Sequence, residues 1–160
     1  MSVPQTIREL VERFERHLDA YRAPHYNETQ LRREFLDPFF KSLGWDIDNE
    51  QGYAEAYKDV IHEDAIKVGE ATKAPDYCFR IGGTRKFFLE AKRPSVDIKH
   101  DVSPAFQLRR YAWTTKLPLS VTGRIKITRP GSKLGRSKSP TLRGGYIGIC
   151  ALGFKTDFLS

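Results

Sequence analysis

Three charged side chains lie at the ends of two neighbouring apolar segments of the chain. Asp76 comes directly before a largely apolar run at residues 77, 78, 79 and 81. Glu90 and Lys92 come directly after the apolar residues 87–89. Side chains alternate across a β-strand, so Glu90 and Lys92 are expected to share one face. Two carboxylates and an ammonium group can hold a divalent cation and orient a water molecule, which is the chemistry of metal-dependent phosphodiester hydrolysis.

Each of these residues has a defined candidate role. Asp76 and Glu90 are candidate ligands of Mg²⁺, which acts as a Lewis acid and lowers the pKa of bound water. Lys92 is a candidate for orienting that water and for offsetting the negative charge that develops on the phosphate. The same residues could instead form a solvated salt-bridge cluster, because charged side chains are common at strand ends. The three residues alone leave both interpretations open.

A helical pair of polar residues follows this group. Gln107 and Tyr111 lie four residues apart, within a predicted helix over residues 104–115. At that spacing two side chains share one helix face. Gln107 lies 15 positions after Lys92, so the helix follows the second strand closely.

These residues resemble the motifs of a known enzyme superfamily. Pro75-Asp76, followed by Glu90-Ala91-Lys92, matches the order and spacing of the PD-(D/E)xK nuclease motif. The Gln107/Tyr111 pair resembles the QxxxY element of RecB-like nucleases, in which the glutamine and tyrosine help to position the catalytic lysine or contact DNA. The resemblance implies a Mg²⁺-dependent DNA endonuclease with a restriction-endonuclease-like core.

The resemblance extends to the N-terminal helices. The stretch 28–38 and the Leu-Gly-Trp at 43–45 are similar to the start of the type I restriction enzyme R-subunit nuclease domain. They are more similar to the N-terminal nuclease of type IIG restriction–modification polypeptides. In that family a helix acid can join the metal cluster, which implies Glu34 or, as a weaker candidate, Glu28. A surface salt bridge or a helix cap is the alternative role for both acids.

The resemblance also implies partners. DNA would be the substrate, and a methyltransferase or specificity domain or subunit would select the sequence. Two alternatives stay open: a catalytically inactive DNA-binding or interaction remnant, and the nuclease domain of a type I R subunit. Deciding between an enzyme and a remnant requires a cleavage measurement.

Apolar periodicity predicts the N-terminal helices that must position these residues. Side chains at helical spacing predict a first helix over residues 7–21 and a second over residues 28–43. Asn27 and Gln30 match a capping box at the start of the second helix. Pro38 is expected to kink or restart that helix.

The remaining elements are predicted to be mainly strands. Gly82-Gly83 predicts a hairpin with strands near 76–81 and 86–92, and residues 117–121 predict a further strand. Residues 45–73 have no firm period and predict a long, partly ordered connection, with a short strand near 45–47. The fold class is therefore α/β, with a mixed central sheet flanked by helices and an N-terminal helical layer.

The positive charge is unevenly distributed along the chain. Residues 1–121 carry 19 basic and 19 acidic side chains, whereas residues 122–160 carry 8 basic and 1 acidic side chain. This division predicts a nuclease domain over 1–121 and a basic, Gly/Arg/Ser-rich tail over 122–160, with one possible strand within 146–154. The overall charge of +7 therefore does not by itself indicate DNA binding by the predicted nuclease domain. Phosphate contacts or simple solvation are the alternatives for Arg85, Lys86, Arg109 and Arg110.

Cysteine content and hydropathy predict the cellular setting. Two cysteines, Cys78 and Cys150, form neither a disulfide framework nor a metal-binding spacing. No apolar run reaches the length of a membrane span, and the N-terminus does not resemble a signal peptide. A cytoplasmic location is expected.

Overall fold

The computed structural model describes residues 4–96, 106–107, 110–111, 114–115, 117, 119–123 and 149–153. Helices occupy the N-terminal part, and strands follow from residue 60 onwards. The architecture is a mixed α/β arrangement, as predicted.

The first predicted helix is divided in two. Helix α1 covers Gln5–Arg16 and helix α2 covers Leu18–Arg22, with a break at His17 (φ −121°, ψ 32°). The predicted apolar face is nevertheless retained across the break. The Tyr21 ring stacks on Phe14, with ring centroids 5.3 Å apart.

The second predicted helix contains a wider turn. Helix α3 (Glu28–Leu31) leads into a π-helical turn (Arg32–Leu36) and then into α4 (Asp37–Ser42). The predicted capping box is confirmed, since Asn27 and Gln30 exchange hydrogen bonds. Gly44 follows this helical stretch with φ 93°, a left-handed conformation that suits glycine.

Pro38 accounts for the wider turn. A proline within a helix lacks an N–H, and its ring crowds the carbonyl four residues earlier, here that of Glu34. The π-helical turn lies immediately before Pro38, and the Arg13 guanidinium donates to the Glu34 carbonyl. The sequence-based expectation of a kink or restart at Pro38 thus corresponds to a π-helical turn without a break in the helical stretch.

Residues 45–73 are more regular than predicted. The expected strand at 45–47 is absent from the structure. A 3₁₀ turn (Glu55–Tyr57) is followed by three short strands, β1 (Val60–His62), β2 (Ile66–Val68) and β3 (Ala71–Lys73). Strands of three residues are too short to show a clear alternation, which explains why the sequence pattern did not reveal them.

The predicted hairpin forms the centre of the sheet. Strands β4 (Tyr77–Ile81) and β5 (Thr84–Ala91) pair antiparallel, and Gly82 and Gly83 both have positive φ angles. Such angles are typical of a two-residue hairpin turn. Strand β6 (Leu119–Gly123) pairs parallel with β5, and β7 (Ile149–Gly153) pairs antiparallel with β6. The five-stranded sheet has the order β1-β4-β5-β6-β7 and is mixed, as predicted.

Each face of the sheet has its own apolar core. Tyr77, Phe79 and Leu89 pack with the helical layer, as shown by the 4.6 Å between the ring centroids of Phe79 and Phe40. Cys78 and Phe88 pack on the opposite face with β2 and the helical residue Tyr111. The ends of β4 and β5 are therefore held between two layers.

The predicted division at Val121 stays a prediction. Strand β6 continues to Gly123, and β7 lies within the predicted tail, whose other residues from 124 onwards fall outside the described ranges. Within the described ranges, no helix has both the length and the apolar character needed to cross a membrane.

Candidate functional site

Asp76 is held on both of its carboxylate oxygens. It lies directly before β4, next to the fully buried Pro75. Its Oδ1 accepts a hydrogen bond from Arg32 Nη1 at 3.0 Å, and its Oδ2 accepts one from the Ala91 backbone N–H at 2.7 Å. The carboxylate therefore bridges the helical layer and strand β5.

Glu90 is the most deeply buried acid of the site. It is 7% exposed, and its Oε1 accepts from Lys92 Nζ at 3.1 Å and from Gln107 Nε2 at 2.9 Å. Among the residues that the structure describes, its buried Oε2 has no hydrogen-bond partner. Burial and then the nearby charge of Asp76 raise the pKa of Glu90. A buried carboxylate oxygen without a partner is costly unless a ligand or cation satisfies it.

Lys92 lies between two acids. Its Nζ is 3.1 Å from Glu90 Oε1 and 3.8 Å from Glu28 Oε1. Burial lowers the pKa of Lys92, but the charges of Glu90 and Glu28 outweigh that effect and hold it above the usual value. The side chain is therefore a charged donor at neutral pH, on the face predicted for it.

Gln107 joins the group from the helical residues that follow. Its Nε2 donates to Glu90 Oε1 and also lies 2.8 Å from the Tyr111 hydroxyl oxygen. Tyr111 is buried, and its ring packs edge-on against Phe88 at 6.4 Å. The structure thus brings together all five residues that the sequence proposed as catalytic: Asp76, Glu90, Lys92, Gln107 and Tyr111.

The helix acid nearest to this group is Glu28. Glu34, the stronger candidate from the sequence, lies beside Tyr21 and Tyr26, and its charge raises the pKa of both tyrosines after the larger effect of burial. None of the contacts found for Glu34 reaches Asp76 or Glu90. Glu28 lies in α3 beside Lys92, whereas Glu34 lies in the π-helical turn beside Tyr21 and Tyr26, so the two side chains meet different surroundings.

Arg32 was missed by the sequence analysis. Besides its bond to Asp76, its guanidinium lies 3.7 Å from Glu63 Oε1 and 5.0 Å from the centre of the Tyr77 ring. Its side chain is only 16% exposed. The available signal was its position four residues after Glu28, which places both side chains on one helix face.

The acids of the site fit a cation that keeps part of its water shell. Among the described residues, no group of three His, Cys, Asp or Glu side chains is arranged to hold a metal ion. Zinc sites usually need three or four such ligands. Mg²⁺ is commonly held by one or two carboxylates together with waters and substrate phosphates. Asp76 and Glu90, with the unpartnered Oε2, fit this second pattern.

A separate cavity of about 530 Å³ adjoins the site. Arg32, Glu63 and Asp37 line it, but Asp76, Glu90 and Lys92 do not. Its other lining residues are largely polar or charged. Among the described residues, the cavity therefore meets the candidate site through Arg32 and Glu63.

The four predicted phosphate contacts are in different situations. Arg85 donates twice to Asp64, at 2.7 and 2.9 Å, so its guanidinium is engaged within the fold. Lys86 and Arg110 are exposed. Arg109 lies outside the described residues. DNA contact by any of the four stays a prediction.

Asp64 is expected to contribute to stability. It also accepts from Arg80 Nη2 at 3.2 Å, and its side chain is 10% exposed. Burial would raise the pKa of Asp64, but hydrogen bonds from Arg85 and other partners outweigh this and lower it. Asp64→Asn should therefore reduce the free energy of unfolding at pH 7 by about 2 kcal/mol, measured by urea denaturation.

The pH dependence provides the check on this prediction. A lowered folded-state pKa stabilises the fold above the ordinary carboxyl pKa, and that contribution is lost as the pH falls through the lowered value. The difference between Asp64→Asn and the unmodified chain should consequently shrink in acid. Asp48→Asn, at a 49% exposed side chain paired with Lys41, is the control and should change stability by less than about 1 kcal/mol. Equal losses for both variants would contradict the assignment.

Comparison with known proteins places the chain among restriction-enzyme relatives. It is 46% identical over 130 residues to the "Type II restriction enzyme and methyltransferase RM.Eco57I" of Escherichia coli. The match covers 80% of this chain and 13% of that protein. No profile of a known protein family matches the chain, and no solved structure matches it. The chain is therefore related to one segment of a fused restriction enzyme and methyltransferase.

Proposed function

We propose that this restriction-enzyme relative is a Mg²⁺-dependent DNA endonuclease domain with a PD-(D/E)xK, restriction-endonuclease-like core. One observation carries the proposal: the buried Oε2 of Glu90, without a hydrogen-bond partner in the described part of the chain, in a cluster with Asp76 and Lys92 at the ends of paired strands. A salt-bridge cluster built only for stability would be expected to pair that oxygen, because an unsatisfied buried acceptor is costly. A cation-binding site explains why it is left free.

The two carboxylates would bind the cation. Asp76 and Glu90 would hold Mg²⁺, which when bound supplies a Lewis acid and lowers the pKa of its water. Asp76 is prepared for this task because its backbone partner, the Ala91 N–H, fixes one oxygen. Glu90 is prepared because Lys92 and Gln107 both hold its Oε1 and leave Oε2 available.

Lys92 would act on water and on the phosphate. Its ammonium is charged, has three donors and lies beside both Glu90 and Glu28. A donor in that position can orient a water for attack and stabilise the negative charge that develops on the phosphate oxygens. Gln107 and Tyr111 support it indirectly, since Gln107 holds the acid to which Lys92 is bonded.

Recognition of a specific DNA sequence would require more than this chain. The related protein combines a restriction enzyme and a methyltransferase, and the chain spans about 13% of its length. We propose that a methyltransferase or specificity domain or subunit selects the site. Lys86 and Arg110, which are exposed, and Arg85 and Arg109 would then contact phosphates without reading sequence.

Plasmid cleavage tests the proposed function directly. The purified chain, incubated with supercoiled plasmid, should produce nicked or linear DNA when Mg²⁺ is added and none when EDTA replaces it. The absolute cation requirement is expected because the proposed nucleophile is a water molecule whose pKa the bound cation would lower. Retention of DNA in a gel without Mg²⁺-dependent cleavage would instead favour the inactive remnant. Cleavage that persists in EDTA would contradict the proposed chemistry.

A further inference from the structure

One helix face is complementary in charge to the two strand ends. Glu28 and Arg32 lie four residues apart, at the start of α3 and at the start of the π-helical turn. Glu28 approaches Lys92, and Arg32 bonds to Asp76. The helix thus presents an acid to the ammonium and a guanidinium to the carboxylate. Neither contact follows from the roles given above to Asp76 and Lys92.

Both oxygens of Asp76 are already engaged in the described structure. The donor to Oδ2 is the backbone N–H of Ala91, the last residue of strand β5. The donor to Oδ1 is the long side chain of Arg32. A cation bound by Asp76 must share or replace one of these donors. The Arg32 side chain can move by rotation about its own bonds, whereas the backbone N–H cannot move without disturbing the strand.

A second acceptor for Arg32 is close by. Glu63 Oε1 is 3.7 Å from Arg32 Nη1, and the Glu63 side chain is 71% exposed. Glu63 has a φ of 54°, uncommon for a residue other than glycine, and its N–H donates to the Asp76 carbonyl at 3.3 Å. This backbone conformation holds the acid next to Asp76. Arg32 therefore has an alternative partner within a short side-chain movement.

We propose that Arg32 is the counter-ion of Asp76 when no divalent cation is bound. When a cation binds, Arg32 releases Asp76 Oδ1 and turns to Glu63. This exchange sets the cation affinity of the site. Arg32 is thus a positioning residue that acts through Asp76. The inference rests on the proposed cation site and adds the residue that limits its affinity. The physical reason is that a partly buried positive charge a few ångströms away repels a second cation and occupies one of its ligands.

Titration calorimetry with Mg²⁺ in the absence of DNA tests this role. Arg32→Met removes the charge and should lower the Kd for Mg²⁺ about tenfold. Arg32→Lys keeps the charge and should leave the Kd within about threefold of the unmodified chain. Lys41→Met, which removes a cation from an exposed pair, is the control and should have no effect. An unchanged or higher Kd for Arg32→Met overturns the inference.

Thermal unfolding separates this role from a merely structural one. Arg32→Met should unfold at a lower Tm without Mg²⁺ and should gain more from added Mg²⁺ than the unmodified chain does, because ligand stabilisation grows with affinity. A structural role alone would lower the Tm equally with and without Mg²⁺, which also overturns the inference.

A variant of the alternative acceptor, Glu63, provides a second test if Arg32→Met does not fold. Glu63→Gln removes the alternative acceptor and leaves Arg32 on Asp76, so Mg²⁺ should bind about threefold more weakly. Equal or tighter binding would contradict the exchange. If the unmodified chain itself binds no Mg²⁺, the proposed function fails together with this inference. If it binds Mg²⁺ and cleaves DNA but the Arg32 and Glu63 variants bind Mg²⁺ as it does, only this inference fails.

Discussion

Lys92→Met should reduce Mg²⁺-dependent plasmid cleavage by about 10³-fold. Methionine keeps much of the length and apolar character of the side chain but removes the charge and all three donors. Without the ammonium, no group in the described structure at this position can orient the water or stabilise the phosphate charge. The rate of plasmid nicking at saturating Mg²⁺, measured from single-turnover time courses, gives the size of the effect.

Controls must separate lost chemistry from lost structure. Lys92→Met leaves Glu90 and Glu28 without their shared cation, so some loss of stability is expected, and cleavage should be measured well below the Tm of the variant. Lys67→Met, at an exposed lysine of strand β2, should cleave at the rate of the unmodified chain. DNA retention without Mg²⁺ should be similar in all three proteins. Cleavage by Lys92→Met within tenfold of the unmodified rate would show that the site is misassigned.

The predicted arrangement around the central hairpin was recoverable from sequence because its signals are local. Gly82-Gly83 between two apolar runs fixes a hairpin, and the hairpin fixes which side chains share a face. That alternation predicted a shared face for Glu90 and Lys92, whose Oε1 and Nζ atoms lie 3.1 Å apart in the structure. The helical position of Gln107 was also predicted from a local signal, the spacing of side chains along residues 104–115. The roles of these residues stay a prediction, since position does not demonstrate chemistry.

Long-range partners could not be derived in the same way. The family resemblance implied Glu34 more strongly than Glu28. Both acids lie on one predicted helix, and no local signal shows which of them meets the strand ends. The bond from Arg32 to Asp76 joins residues 44 positions apart. An arginine in an amphipathic helix is usually solvated, so its burial depends on tertiary packing that the apolar pattern does not encode. Residues 60–73 were missed because their strands are very short.

Glu90→Gln should have opposite effects on activity and on stability. Cleavage should fall by about 10³-fold, because the site would lose one of the two carboxylates proposed to bind the cation. In the absence of divalent cations, however, the variant should be more stable than the unmodified chain at pH 8, by about 1 kcal/mol. Burial and the charge of Asp76 raise the pKa of Glu90, so its ionised form is disfavoured in the fold. The neutral amide removes that cost and retains an oxygen that can accept from Lys92 and Gln107.

The pH dependence of this gain has a defined sign. A carboxyl group whose pKa is raised in the folded state costs no stability while it is protonated in both states. Its cost grows as the pH rises from the ordinary carboxyl pKa to the raised value and is constant above that. The stability difference between Glu90→Gln and the unmodified chain should therefore be small in acid and full at pH 8. The pKa of Asp64 is lowered in the fold, opposite to that of Glu90. Asp64→Asn should therefore lose stability over the pH range in which Glu90→Gln gains it.

Urea denaturation in EDTA at several pH values gives the free energy of unfolding of both variants and of the unmodified chain. The same measurement is then repeated with added Mg²⁺. The cation should stabilise the unmodified chain and leave Glu90→Gln almost unchanged, because ligand stabilisation requires an intact site. The decisive result is the sign of the difference at pH 8 in EDTA. If Glu90→Gln is the less stable protein there, the Glu90–Lys92 pair is a net stabilising salt bridge. The unpartnered Oε2 would then no longer support a cation site, and the solvated-cluster interpretation of these three charges would be the better one.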